Sequence, residues 1–151
     1  MAGAGEHLRG IITGERRLSA ADLAGRLPGM RLLTVATVTA DGRPLAGPVD
    51  GYFLHGTFWF SSGRNSVRMR HLAARPAVSA THLPGEELAV TVHGRAVQAD
   101  VGEGSDLRRT LLDIYVPRYG EEWAEMLERG AVYARIEAER MFAFHMPPGA
   151  D

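Results

Sequence analysis

"MRLLTVATVTADGRPLAGPVDGYFLHGTFWFSS", residues 30–62, decides the fold class. Leu33, Val35 and Thr37 alternate with Thr34, Ala36 and Val38. Both sets are fairly apolar, as in a strand covered on both faces. Asp41-Gly42 is a strong hairpin dipeptide and His55-Gly56 a weaker one. Strands are therefore expected near 31–39, 43–54 and 57–62. Pro44 and Pro48 lack the N–H that a ladder needs. They predict an edge or an interrupted stretch, where freed backbone groups can face a ligand.

Upstream, "RRLSAADLAGRL" (16–27) reads as a short helix capped by Ser19, with Leu23 and Leu27 on one face, ended by Pro28-Gly29. Downstream, "NSVRMRHLAAR" (65–75) is a second helix, with Asn65 or Ser66 as its cap and Pro76 as its stop. "PAVSATH" (76–82) and "ELAVTVHGRAVQAD" (87–100) are strands around a turn at Pro84-Gly85. "SDLRRTLLDIYVPRYG" (105–120) is a helix capped by Ser105 and broken at Pro117. "EEWAEMLERG" (121–130) continues it to Gly130. In "AVYARIEAERMFAFHM" (131–146), Val132, Ala134, Ile136 and Ala138 alternate with Tyr133, Arg135, Glu137 and Glu139, as in a last strand. About six strands with hairpin connections and few long crossovers predict a mainly β (α+β) fold, an antiparallel barrel with peripheral helices. The domain spans 15–146, between a loose Gly-rich arm at 1–14 and a tail at 147–151.

The chain has 151 residues and no cysteine, which excludes disulfides, thiolate chemistry and cysteine-held metals. All 17 of its cationic Lys/Arg side chains are arginine, so no Schiff-base lysine exists. A net charge of −1 gives no global field for nucleic acid. No apolar run approaches the ~20 residues that cross a bilayer, and "MAGAGEHLRG" lacks the apolar core of a signal peptide. A soluble cytoplasmic protein is the expectation.

Against this neutral background, "FSSGRNSVRMRHLAARP" (60–76) concentrates anion-binding groups. A helix start offers unpaired N–H groups and partial positive charge. Ser61, Ser62, Ser66, Arg64 and Arg68 surround it, and hydroxyls and guanidinium groups both donate to phosphate oxygens. The segment reads as a phosphate cradle; the same residues also suit a surface helix with solvated arginines, the simpler account of Arg70 and Arg75.

The succession of strand, hairpin, "DGRP", aromatic strand, "SS…S-x-R-x-R-H-L…RP-x-V-S", strand and "GRAV" resembles the pyridoxamine 5'-phosphate oxidase-like split barrels, which include FMN-binding proteins and flavin/deazaflavin oxidoreductases. The likeness spans residues 18–146. It implies a six-stranded antiparallel split β-barrel that forms a homodimer, with a cofactor, FMN or the deazaflavin coenzyme F-420, in each of two interface clefts. Ser66, Arg68, Arg70, Leu72 and Pro76 match the family patterns "S-x-K-x-x-x-L" and "K-x-R-N-L-x-x-x-P", with Arg68 for the usual lysine and His71 where deazaflavin relatives often carry asparagine. By the same resemblance Val49, Asp50 and Gly51 run beside the flavin ring, and Ser61 and Ser62 lie near the ribityl chain and phosphate. The implied activity is hydride transfer to or from a small conjugated or heterocyclic molecule. A non-enzymatic flavin carrier and a barrel that has lost its cofactor are the alternatives.

Other constellations are weaker. No histidine pair has metal-ligand spacing with a carboxylate, although His82 and His93 lie on separate strands and can meet. Ser79, His82 and Asp50 form a triad only on paper, without a nucleophile elbow. Tyr52, Phe53, Phe58, Trp59 and Phe60 are read as core and dimer packing; Tyr115, Tyr119 and Trp123 can border a pocket.

Overall fold

The computed structural model describes residues 18–127 and 129–146; the expected arm and tail lie outside this range. Six antiparallel strands close a barrel: β1 (Met30–Val38), β2 (Pro44–Leu54), β3 (Thr57–Gly63), β4 (Ala77–Gly85), β5 (Leu88–Ala99) and β6 (Ala131–His145). Around the barrel they run β1-β2-β3-β6-β5-β4, and β4 pairs back onto β1. Among the described residues four helices lie at the periphery: α1 (Ala20–Arg26), α2 (Val67–Ala74), α3 (Asp106–Tyr119) and α4 (Trp123–Met126). This is the antiparallel barrel with peripheral helices expected from the hairpin signals, and the six-stranded split barrel that the resemblance implies. No helix among the described residues is long and apolar enough to cross a membrane.

Strand alternation builds two cores. Leu33, Val35, Val49, Phe58, Phe60, Val90, Val92 and Ile136 point inward and fill the barrel. Leu23 of α1 and Leu27, which caps it, join them at the end where β1 begins, and Leu72 of α2 joins where β1 finishes. Ser19 holds α1 in place through a capping box with Asp22. The second core lies outside β2, β3 and β6, where Tyr52 and Tyr133 pack under Leu107, Leu111 and Tyr115 of α3. The aromatic stretch is therefore packing on both faces: Phe58 and Phe60 inside, Tyr52 and Trp59 outside.

Of the two proline expectations, the edge alternative holds for β2, and the break in the 105–120 helix does not. The β1–β2 ladder runs unbroken from Met30↔Tyr52 to Val38↔Pro44, passing Pro48. The prolines are four residues apart, so both nitrogens face the same edge. On the β3 side no pairing exists before Gly51, so no ladder bond is lost there. Nor does Pro117 break α3, which continues to Tyr119. A proline this close to a helix end removes one bond from the last turn; the stop is Gly120 at φ 88°, whose N–H closes on Val116 O at 2.8 Å.

The long strand β6 contains a register shift: His93 faces Arg140 while Gly94 faces Ala138, so Glu139 is an inserted residue. Before it Ala134 and Ile136 point inward; after it the inward residues are Met141 and Ala143. Gly94 opposite the bulge has no room for a Cβ, which would run into the Glu137 carbonyl. Gly94→Ala is therefore expected to lower the unfolding free energy by about 2–3 kcal/mol, the range for overpacking against atoms that cannot move. Gly25→Ala, in α1 with open space around it, is expected to raise it by about 0.5–1 kcal/mol. Urea unfolding of the two variants checks both signs.

Candidate functional site

The site begins where two neighbouring strands part. β2 pairs β1 over residues 44–52 but pairs β3 only from Gly51 to Leu54. Beyond Phe60, β3 stays with β6. Arg68 enters the resulting split from the first turn of α2. Its Nη1 donates to Ser62 Oγ at 3.0 Å, and its Nη2 lies against Gly47, where a Cβ would come within 2.9 Å. Ser62 Oγ is 2.9 Å from Ser66 Oγ, and Ser66 caps α2 by accepting the Met69 N–H at 3.1 Å. Asn65 is thus not the cap. The N–H groups of Val67 and Arg68 precede the helical ladder. Burial lowers the Arg68 pKa, yet a guanidinium keeps its charge. Guanidinium, two hydroxyls and helix-start N–H groups form a donor set suited to a phosphate.

Ser62, Ser66 and Arg68 are the candidate residues that converge. The others divide. Val49 is in the barrel core, and Gly51 is required there because a Cβ would collide with Leu33. Arg64 donates its backbone N–H to Gly130 O at 2.8 Å and borders a separate cavity with Gln98, Asp100 and Tyr133. His71 turns to buried Thr37, with Nδ1 3.0 Å from its Oγ1. Arg75 Nε donates to Val38 O at 2.8 Å, tying α2 to the end of β1.

Asp50 and Ser61 point outward, into a cavity of about 540 Å³ beneath α3 and α4. Tyr115, Tyr119 and Trp123 line it, together with Tyr52, Glu122 and Arg129. Tyr115 donates to Asp50 Oδ2 at 2.9 Å, and its oxygen is 2.7 Å from that of Tyr52. Tyr115 has one proton and gives it to Asp50, so Tyr52 is the donor in the second bond. Ser61 is a further hydrogen-bond partner of Tyr52. Burial pushes the Tyr52 phenol up to about 12. Burial, the Tyr52 bond and the Asp50 charge together push Tyr115 well above the usual phenol range. Tyr115 and Trp123 stack at 4.4 Å and 23°. Strand alternation puts Asp50, Tyr52 and Ser61 on one face, but Tyr115 lies 65 residues from Asp50, so nothing local signals their bond.

The paper triad does not assemble. Ser79 is on the outer surface with His93, Oγ to Nδ1 2.6 Å, whereas His82 is buried and bonds Leu32 O at 2.9 Å. His82 and His93 do not meet, and no group of three metal-ligating side chains occurs among the described residues.

The family model of pyridoxamine 5'-phosphate oxidase matches residues 21–144. The chain belongs to that family. No curated protein matches it significantly. Among solved structures it is similar to the conserved hypothetical protein Rv2991 from Mycobacterium tuberculosis, with a TM-score of 0.71 and 22% identity over 88% of each chain. It is also similar to the heme storage protein HutZ from Vibrio cholerae, with a TM-score of 0.58 and 19% identity over 76% of this chain and 86% of that one. A provisionally named pyridoxamine 5'-phosphate oxidase from Listeria innocua gives 0.58 and 17% over 75% and 87%. At these identities the likeness is one of fold.

With no lysine or cysteine, the side chains titrating between about pH 9 and 12 are the four tyrosines. A buried phenol raised from an ordinary value near 10 to about 12 holds its proton while the unfolded chain releases it. Stability is then complete below about pH 10 and falls as pH rises towards 12. Tyr52→Phe is expected to flatten this fall by roughly 1 kcal/mol between pH 9 and 11, read from urea unfolding at pH 9, 10 and 11.

Proposed function

We propose that the protein is an oxidoreductase that binds FMN, or alternatively the deazaflavin coenzyme F-420, and transfers a hydride to or from a small conjugated or heterocyclic substrate. The convergence of Ser62, Ser66 and Arg68 on the open edge of β2 carries this reading. The cofactor supplies the hydride. Arg68, Ser62, Ser66 and the start of α2 hold its phosphate. Backbone groups of residues 49–51 meet the polar edge of the ring, and the aromatic wall of α3 and α4 limits water. Exposed Leu32 and Leu83, on the outer faces of β1 and β4, supply apolar surface for a homodimer. The protein acts in the cytoplasm.

Fluorescence titration with FMN and F-420 tests this directly. Wild type is expected to bind one of them saturably. Arg68→Ala should weaken that binding by about 1.5–3 kcal/mol, the range for a charge-assisted hydrogen bond, and Arg68→Lys by less. No binding of either cofactor at saturating concentration defeats the proposal. Binding with no turnover of reduced cofactor across a substrate panel favours the carrier alternative.

A further inference from the structure

We infer that the cavity under α3 and α4 selects a planar ligand with an N–H-rich or cationic edge, of amidine or protonated nitrogen-heterocycle type. This rests on taking the cavity as the substrate site of the reading above.

Proton direction is the first argument. An ionised Asp50 has no proton to give. Tyr115 has committed its proton to Asp50, and Tyr52 has committed its own to Tyr115. The chain of bonds therefore runs towards Asp50, leaving acceptor capacity on that carboxylate and no spare proton on Tyr52 or Tyr115. A ligand that donates hydrogen bonds is completed here; an acceptor-only ligand leaves Asp50 poorly matched. Charge points the same way. Asp50 and Glu122 line the cavity against a single cation, Arg129, which lies exposed at its rim. Shape supplies the third argument. Tyr119, Tyr115 and Trp123 form near-parallel rings, 6.2 Å and 4.4 Å apart at 26° and 23°. A flat ligand extends such a stack, and a positive one gains cation–π attraction. Arg118 already sits 5.5 Å over the Tyr119 ring.

The test uses two flat probes of similar size and opposite charge, benzamidine and benzoate. Emission is read in a Trp59→Phe background, where Trp123 is the remaining tryptophan. The protein is cofactor-free. Benzamidine is expected to quench Trp123 saturably while benzoate does not. Asp50→Asn should weaken benzamidine by about tenfold or more, and Arg68→Ala should leave it unchanged. A ring-current shift of benzamidine protons in NMR, lost in Trp123→Leu, provides the same reading without the background substitution. The inference is overturned if benzoate binds as tightly as benzamidine, or if Asp50→Asn has no effect. FMN and F-420 are titrated in parallel. Failure of both with benzamidine still bound sinks the cofactor reading alone. Cofactor binding without benzamidine binding sinks this one alone.

Discussion

Backbone pairing between β2 and β3 ends at Gly51–Phe60 while each strand continues with its other neighbour. A barrel that opened there without compensation would expose a row of unpaired backbone groups and the inner faces of two strands. Arg68 occupies the opening. Its guanidinium spans from Ser62 to the glycine at 47, and its aliphatic stem comes from a helix whose cap is bonded to that same Ser62. One side chain thus covers the split and presents positive charge at it. The proposed phosphate site and the local stability of the opening share the same three residues.

The opposite face of the same strands works through a different kind of order. Asp50, Tyr52 and Ser61 look outward by simple alternation, and α3 brings Tyr115 onto them. A half-buried carboxylate is partnered because a phenol donates to it. That phenol's own oxygen is satisfied by the next one. The arrangement costs little in strain and makes the polarity of the cavity one-directional.

Much of this architecture is legible in the residues themselves. Asp41-Gly42 and His55-Gly56 mark hairpins because only certain residues accept positive backbone angles there; Gly42 and His55 do so, at φ 86° and 52°. Ser19, Ser66 and Ser105 cap helices because their hydroxyls reach an orphan N–H. Serine and arginine at the start of α2 stand out by their spacing, and the structure brings Ser62, Ser66 and Arg68 together; the phosphate they would hold is part of the proposal. What is not legible depends on contacts distant in sequence. Arg64 looks like a neighbour of Arg68 in the chain, yet borders another cavity. The paper triad fails because Ser79 and His82, three apart on one strand, point to opposite faces. Pro117 misleads for another reason: its effect is set by distance from the helix end, which only Gly120 reveals.

The inserted Glu139 gives β6 a two-part character. Upstream it follows one parity, downstream the other, so the strand carries a phase boundary. Loss of a single amino acid at that point would leave composition almost untouched. It would remove the bulge: Ala138 would still face Gly94 and Arg140 would still face His93, so Met141 and Ala143 would stay inside and Phe142 and Phe144 outside. The same deletion in the Thr39–Arg43 loop would shorten a turn and leave both parities intact. Tolerance of length variation in this barrel is therefore decided by phase: loops absorb a lost residue, and so does the bulge of the last strand, which already holds one residue more than its ladder needs.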